Sequence, residues 1–297
     1  FAAKATLAYL DGTEWFATDY RNNREGTSLD GDFIAGTRET DRNYNGLNVY
    51  GDEVSTNIRG VANVLEGLGI IPNGASALIP SINVSRTGYE ERDLMTYEAR
   101  SVKFGGSLNY RPFGDDRLEI IWNSKFGVGN TIYQGTNRYN IQDFYLAQHK
   151  LEFRGKNFFV RGYVTNEDAG NSYDTRFAAI NINRAWKDDN TWFGEYVGAY
   201  LQGTLGGLNS DQAHAIARQT AETGRFVPGT PEFQAAFDRV TSDPDLVTGS
   251  KFQDQTKLYH GDVNYNFQDV IDWAEFQVGG SYRRYSLNSN GSIFTDY

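Results

Sequence analysis

The chain has 297 residues, and its 28 Lys and Arg against 38 Asp and Glu give a formal net charge of −10. It contains no Cys and only three His, which excludes disulfide frameworks, Cys-based zinc sites and thiolate nucleophiles. Nucleic-acid binding rests on clustered Lys and Arg, and the sequence has no basic run to supply them. No stretch approaches the roughly 18 consecutive apolar residues of a membrane-spanning helix.

Transmembrane β-barrels remain compatible with this composition. Their strands alternate lipid-facing apolar and lumen-facing polar residues, so their mean hydropathy is polar. The 19 Tyr, 19 Phe and 32 Gly suit a strand-rich chain with aromatic girdles and tight turns. The period of the apolar residues along the chain therefore decides between the fold classes.

Seven stretches alternate between apolar and polar residues with the period of two that is typical of β-strands. In the clearest of them Val102, Phe104 and Leu108 share one face, and Lys103 lies on the other. The seven predicted strands are residues 1–9, 101–111, 117–128, 144–154, 158–164, 259–267 and 274–283. Strands of about 9 to 11 residues cross a bilayer at a tilt, so most of these lengths suit a membrane protein.

The connections between these strands are predicted to alternate between short and long. Turn residues mark short connections at 112–116, 155–157 and 268–272, and long ones are expected at 12–99, 129–142 and 165–256. Outer-membrane barrels combine short periplasmic turns with long external loops, whereas β-sandwiches have moderate loops at both ends.

The expected fold is therefore all-β: an antiparallel transmembrane β-barrel segment, a partial barrel of about seven strands, with long external loops that contain short helices. Its alternative is a soluble β-sandwich or lectin-like domain, because a wet lumen and a solvated sheet face have the same period. Both readings accommodate the charged residues in mid-strand, which are Lys103, Glu119, Lys125, Glu152, Arg161 and Glu275.

Two short helices are predicted in the long loop at 165–256. Ser210 is a suitable N-cap for a helix that runs to about Thr223 and stops at Gly224. The second begins with Thr230 as N-cap and Pro231 at the first helical position, and its apolar residues recur at helical spacing.

The loop at 42–55 mixes aromatic, amide and acidic side chains as sugar-binding and peptide-binding surfaces do, although ordinary surface loops do so too. The residues expected to face a ligand are Tyr44, Asn45, Tyr50, Asp52, Glu53, Tyr173 and Arg176.

No motif for covalent chemistry is present. The sequence lacks a G-x-S-x-G elbow, an H-E-x-x-H pair and a Walker loop, so we expect no enzyme, no catalytic residue and no cofactor. Acidic clusters at 52–53, 167–168 and 188–189 could bind calcium in an external loop, but none matches the spaced ligand pattern of an EF-hand, so solvated turn carboxylates are the favoured interpretation. No metal site is therefore expected.

Five stretches carry a resemblance that runs through most of the chain. They are 44–58 (YNGLNVYGDEVSTNI), 79–94 (IPSINVSRTGYEERDL), 155–173 (GKNFFVRGYVTNEDAGNSY), 224–233 (GRFVPGTPEF) and 251–260 (KFQDQTKLYH), followed by 291–296 (GSIFTD). In these stretches and their order the chain resembles TonB-dependent outer-membrane receptors, most closely the Bacteroidota type with a carboxypeptidase-like regulatory domain.

The resemblance implies a barrel of about 22 strands, closed by an amino-terminal plug that carries the segment gripped by the TonB energy transducer. Residues 1–297 are then expected to be part of one barrel domain, with the plug absent. The implied location is the bacterial outer membrane, as a multi-pass β-barrel. The implied partners are TonB through the missing plug region, a nutrient ligand of unknown class, outer-membrane lipid and a surface lipoprotein lid, with no nucleic acid.

The ends of the chain also suggest a piece of a longer protein. Phe1 lies inside an alternating stretch with no initiator Met or signal peptide before it, and 292–297 is too short for a closing strand. The expected function is energised, plug-gated import of a nutrient. Two alternatives remain: a passive outer-membrane or glycan-binding surface protein without energised transport, and a soluble glycan-binding sandwich.

Overall fold

The computed structural model describes residues 1–23, 33–135, 137–293 and 295–296 and divides the chain into two compact units. The sheet unit comprises Phe1–Glu14, Tyr97–Tyr173 and Phe252–Tyr297, and the helical unit comprises Trp15–Thr96 and Asp174–Lys251. Phe294 and Tyr297, which belong to the carboxyl-terminal segment considered above, lie outside the described residues.

The regular elements follow one another in a mixed order. The strands are β1 (Ala2–Thr13), β2 (Val49–Tyr50), β3 (Ser55–Asn57), β4 (Asn83–Ser85), β5 (Tyr89–Glu90), β6 (Glu98–Tyr110), β7 (Glu119–Gln134), β8 (Arg138–Arg154), β9 (Phe158–Asp168), β10 (Tyr173–Asp174), β11 (Lys257–Asn266) and β12 (Gln277–Ser286). The α-helices are α1 (Ile58–Gly67), α2 (Thr175–Trp186), α3 (Asp189–Leu205), α4 (Ser210–Ala221) and α5 (Pro231–Ser242), and Ala75–Leu78 and Glu91–Asp93 form 3₁₀ turns. None of the helices in these ranges is long and apolar enough to cross a membrane.

The seven long strands form one antiparallel sheet in the order β1-β6-β7-β8-β9-β11-β12, and the two-residue β10 beside β8 brings the sheet to eight strands. They coincide with the seven strands predicted from alternation, so the antiparallel β-sheet is confirmed. Within the described ranges the sheet is open, with β1 and β12 as its edges.

The connection between β7 and β8 is shorter than predicted. The long connection expected at 129–142 is wrong, because β7 continues to Gln134 and pairs there with Arg138 at the start of β8. A β-bulge between Gly129 and Thr131 resets the register, and the rings of Tyr133 and Tyr139 then meet across the hairpin with centroids 6.0 Å apart. Thr136, inside the expected connection, lies outside the described residues.

The two long insertions leave the sheet at the same end. Successive strands run in opposite directions. The carboxyl ends of β1 and β9 therefore lie at one end of the sheet, together with the β7–β8 turn. The other end of the sheet carries the connections at 111–118, 155–157 and 267–276. The turns predicted at 112–116 and 155–157 are short as expected, whereas the connection predicted at 268–272 extends over 267–276, because β12 begins at Gln277. The opposite end carries two long insertions rather than three.

Both insertions contribute to the helical unit, which has an apolar core of its own. Ile58 and Val84 come from the first insertion, and Trp192, Tyr196 and Ala217 come from the second; all five are buried in one cluster. Helix α3 packs against α1 and α4, and α2 packs against α5. The segments predicted as external loops thus have a folded interior.

The insertion at 165–256 contains four helices, two more than predicted. The expected α5 is present, with Thr230 as N-cap and Pro231 in the first turn. The expected α4 is also present, but its N-cap is Asn209 rather than Ser210, because Asn209 and Gln212 form a reciprocal capping box. Helices α2 and α3 escaped prediction, since α3 is buried on several sides and has no one-sided apolar stripe.

Candidate functional site

One face of the sheet is apolar and exposed. Leu108, Trp122 and Leu151 lie directly opposite one another on β6, β7 and β8, and they are 40, 45 and 44% exposed. The same face continues over the other long strands with Leu7, Tyr9, Phe104, Tyr110, Phe126, Phe153, Val160, Val263, Tyr265 and Tyr282. Soluble monomers rarely expose so large a contiguous apolar patch, so this face requires a covering medium or partner.

The opposite face is polar and carries ion pairs. Glu152, Arg161 and Asp262 lie opposite one another on β8, β9 and β11, and Arg161 Nε lies 2.8 Å from Asp262 Oδ1. Lys150 Nζ lies 2.8 Å from Glu152 Oε2 on the same face. A cavity of about 800 Å³ lies against β1, β6, β7 and β8, and its lining is mixed: Lys103, Lys125 and Gln148 line it together with the apolar Leu10 and Leu146. Of the charged residues predicted in mid-strand, Lys103, Glu119, Lys125, Glu152 and Arg161 share this face, whereas Glu275 lies in the connection before β12.

The helical unit contains a second, smaller cavity, which includes several of the residues singled out from the sequence. Its volume is about 180 Å³, and it is lined by Asn23, Ile34, Asn43, Asn45, Asp52, Glu53 and Ser55. All but Ile34 carry a side-chain oxygen, and among these the Ser55 hydroxyl donates a hydrogen bond to Asn43 Oδ1. We call it the Asx cavity.

Backbone hydrogen bonds hold the two carboxylates of the Asx cavity in place. Asp52 Oδ2 accepts a 2.9 Å hydrogen bond from Gly46 N, and Glu53 Oε2 accepts one of 2.6 Å from Gly51 N. Gly51 has φ +94°, and a Cβ there would lie 3.2 Å from Ala179, so the turn needs glycine at this position.

Burial dominates the electrostatics of the Asx cavity. It raises the pKa of the Asp52 carboxyl well above its usual range, and the adjacent Glu53 carboxylate raises it further. Burial also raises the pKa of Glu53, against the attraction of Arg176, whose Nε lies 3.5 Å from Glu53 Oε1. Arg38 attracts the charge of Asp52, and burial lowers the pKa of Arg38 itself to about 10.

Of the seven residues expected to face a ligand, the structure gathers four around the Asx cavity. Asn45, Asp52 and Glu53 line it, and the exposed Arg176 pairs with Glu53. Tyr44 and Tyr50 are buried beside it, where the Tyr44 hydroxyl donates to Tyr20 O and the Tyr50 hydroxyl donates to Glu91 Oε2 over 3.2 Å.

Tyr173 belongs to the sheet unit instead, where its buried hydroxyl accepts a 2.9 Å hydrogen bond from Asn140 Nδ2. The acidic cluster at 52–53 also differs from the expectation of solvated carboxylates. Asp52 is 1% exposed, so its carboxylate is not a solvated turn residue. Asp188 has a capping role, because its side chain accepts a hydrogen bond from Thr191 N at the start of α3.

Asn43 contributes to the cavity and was missed from the sequence, although a signal for it exists. Residues 41–52 read D-R-N-Y-N-G-L-N-V-Y-G-D, which is the calcium-loop spacing D-x-N-x-N-G with an acidic residue at the twelfth position, here Asp52 in place of Glu. This spacing is not visible among adjacent acidic pairs, because Asp41 lies eleven residues before Asp52. Asn23 carries no such signal, since it reaches the cavity only through the fold.

The architecture defines a class of protein: an antiparallel sheet with one apolar and one charged face, into which a helical unit is inserted. Comparison with family models, with curated proteins and with solved structures returns no match for this chain. Among the described residues no group of three or more His, Cys, Asp and Glu side chains is placed to hold a metal ion.

Proposed function

We propose that the chain is a segment of the β-barrel of an outer-membrane TonB-dependent transporter, which imports a nutrient by energised, plug-gated uptake. The observation that carries the proposal is the exposed apolar face, continuous in register over the long strands, behind a polar face with ion pairs. A membrane barrel needs this division, because its outer surface contacts lipid and its inner surface contacts water. The family resemblance supplies the transport function.

The open edges of the sheet support the barrel. In lipid every backbone N–H and C=O must be paired, so spanning sheets close on themselves. In the proposed protein β1 and β12 therefore pair with further strands that these 297 residues do not supply. Strands β7 and β8, at 16 and 17 residues, are long enough to cross the bilayer and extend beyond it.

In this proposal each face of the sheet has a defined task. The apolar face anchors the strands in outer-membrane lipid, and the polar face with Lys103, Lys125 and Arg161 lines the route of the ligand. The insertions form the external, ligand-facing part, and the plug and the TonB-contacting segment lie outside these residues. No covalent step takes place on the chain.

Cysteine labelling tests which face of each strand contacts lipid. The sequence contains no Cys, so a label attaches only at the introduced position. We would place a fluorophore at Leu108→Cys or at Asn109→Cys in protein folded into vesicles. We expect lipid-borne nitroxide to quench the label at position 108 and a water-soluble quencher to act at position 109. If the water-soluble quencher acted on the label at both positions, the result would overturn the membrane assignment in favour of a soluble sandwich.

The native polypeptide tests transport separately from the fold. A product from purified outer membrane with a plug sequence ahead of Phe1 would support energised uptake. A membrane-embedded product without plug or TonB segment would refute transport and leave a passive outer-membrane or glycan-binding surface protein.

A further inference from the structure

We propose that the Asx cavity of the helical unit is a Ca²⁺ site, with Asp52 as its principal ligand and Asn23, Asn43, Asn45, Glu53 and Ser55 as the surrounding oxygen donors. The inference concerns the helical unit alone and does not rest on the proposed transport function.

The first observation is a pair of buried oxygens at the cavity wall. Asp52 Oδ1 and Asn23 Oδ1 have no hydrogen-bond partner among the described residues, and their side chains belong to residues that are 1% and 6% exposed. A buried, unsatisfied carboxylate oxygen costs free energy unless a proton or a cation compensates it. Both residues line the cavity, so one ion there can satisfy both oxygens.

The second observation is the spacing of oxygen-bearing residues in the chain. Residues 41–46 alternate as D-x-N-x-N-G, and Asp52 occupies the twelfth position of the loop. The structure adapts this pattern: Asp41 turns inward to accept hydrogen bonds from Asn43 N (2.9 Å) and Asn22 Nδ2 (2.6 Å). Asn43, Asn45 and Asp52 remain at the cavity, so Asp41 orients the loop and is not itself a ligand.

The donor set selects the ion. Oxygen ligands without Cys or His disfavour zinc and the softer transition metals. Ca²⁺ takes six to eight oxygens from carboxylates, amide carbonyls and water in flexible geometry, whereas Mg²⁺ demands a tight octahedron. A cavity of about 180 Å³ has room for the larger ion with one or more waters, and its amide-rich wall matches the ligands that Ca²⁺ accepts.

The two guanidinium groups near the cavity leave the Asp52 carboxylate without a direct ion pair among the described residues. Arg176 faces Glu53, and Arg38 donates its hydrogen bonds to Ser85 Oγ and to the carbonyls of Asp41 and Arg42. Neither guanidinium forms an ion pair with Asp52 within the described part of the chain. A cation bound in the cavity supplies the partner that Asp52 Oδ1 lacks among the described residues.

Calorimetric titration of CaCl₂ into the full chain, stripped of metal with a chelator, tests the site directly. We expect one saturable site per chain and a rise in the midpoint of thermal unfolding that saturates with it. The Asp52→Asn variant keeps an acceptor for Gly46 N and removes the ligand charge, so we expect its Kd for Ca²⁺ to rise about tenfold or more. MgCl₂ should compete only weakly.

A matched control separates the site from the general attraction of Ca²⁺ to an acidic chain. Asp188→Asn removes one negative charge from the same unit and retains the N-cap of α3, because Asn caps as well as Asp. We expect this variant to bind Ca²⁺ like the unaltered chain. Lack of saturable binding by the unaltered chain overturns the proposal whether or not Asp52→Asn folds, and so does equal weakening in both variants or tighter binding of Mg²⁺.

Discussion

The sheet unit and the helical unit use their apolar residues in opposite ways. In the helical unit Trp192 and Tyr196 are fully buried in a cluster formed by both insertions. In the sheet unit Trp122 and its neighbours are exposed on one face, and the charged residues occupy the other. The helical unit thus has the interior of a protein that folds in water. The sheet unit has an apolar exterior, which is what the proposed lipid surroundings require.

The core of the helical unit should show the largest response to mutation. Trp192 is fully buried and stacks on Tyr196 with ring centroids 5.4 Å apart. We expect Trp192→Ala to lower the free energy of unfolding of this unit by about 3–5 kcal/mol, measured by chemical denaturation. Trp15→Ala, at an exposed position of the same unit, should change it by less than about 0.5 kcal/mol. Equal losses in the two variants would contradict the assignment of the core.

The sheet should respond to charge on one face only. Leu108→Arg places a guanidinium on the apolar face, and we expect it to lower the stability measured in lipid vesicles, by at most the cost of about 2–4 kcal/mol that applies at the bilayer midplane, because Leu108 lies two residues from the end of β6. Asn109→Arg adds the same group to the polar face and should be tolerated. A neutral Leu108→Arg together with a damaging Asn109→Arg would mean that the two faces are exchanged.

A buried histidine should make the stability of the helical unit depend on pH. Burial lowers the pKa of His214 from 6.5 to about 4, with a further contribution from Arg42, and its Nδ1 lies 2.9 Å from the Tyr196 hydroxyl. The unfolded chain then binds the proton more tightly, so stability should fall by on the order of 2 kcal/mol from about pH 7 to about pH 5.

The His214→Gln variant isolates this contribution. Asp52 and Glu53 have raised pKa values and therefore act in the opposite direction, but they are present in both proteins. Denaturation at several pH values should show that the loss towards acid is smaller in His214→Gln than in the unaltered chain. Parallel pH profiles would exclude His214 as its source.

The smallest effect concerns the start of α4. Asn209→Ala removes the side-chain oxygen that accepts the hydrogen bond of Gln212 N, while its backbone N–H can still donate to Gln212 Oε1, and it should cost about 1 kcal/mol in denaturation experiments. Ser210→Ala alters a residue that lies within the helix and should cost less than about 0.5 kcal/mol. If Ser210→Ala were the costlier change, the cap inferred from sequence alone would be the correct one.

Local signals explain which parts of the fold were predictable. The seven long strands follow from a period of two, which each strand carries in its own residues. The length of the β7–β8 hairpin was underestimated, because its outer part depends on a bulge and on the pairing of Tyr133 with Tyr139 across the two strands. Helix α3 was missed, because contacts with α1 and α4 stabilise it rather than an amphipathic pattern.

The candidate cation site shows the same limit. Asn45, Asp52 and Glu53 were singled out because aromatic, amide and acidic residues cluster in one loop of the sequence. Asn23 approaches them only through tertiary contacts, which no local pattern encodes. Burial also reversed one expectation, since Asp52 is enclosed rather than solvated.

The discontinuous make-up of the helical unit has a consequence for synthesis. Residues 15–96 leave the ribosome well before 174–251, and strands β6 to β9 are made in between. Ile58 and Val84 therefore cannot be buried in their shared cluster until Trp192 and Ala217 have been synthesised. During that interval the nascent polypeptide carries an uncovered apolar half-core. It would therefore gain from holdase chaperones until its second insertion is translated.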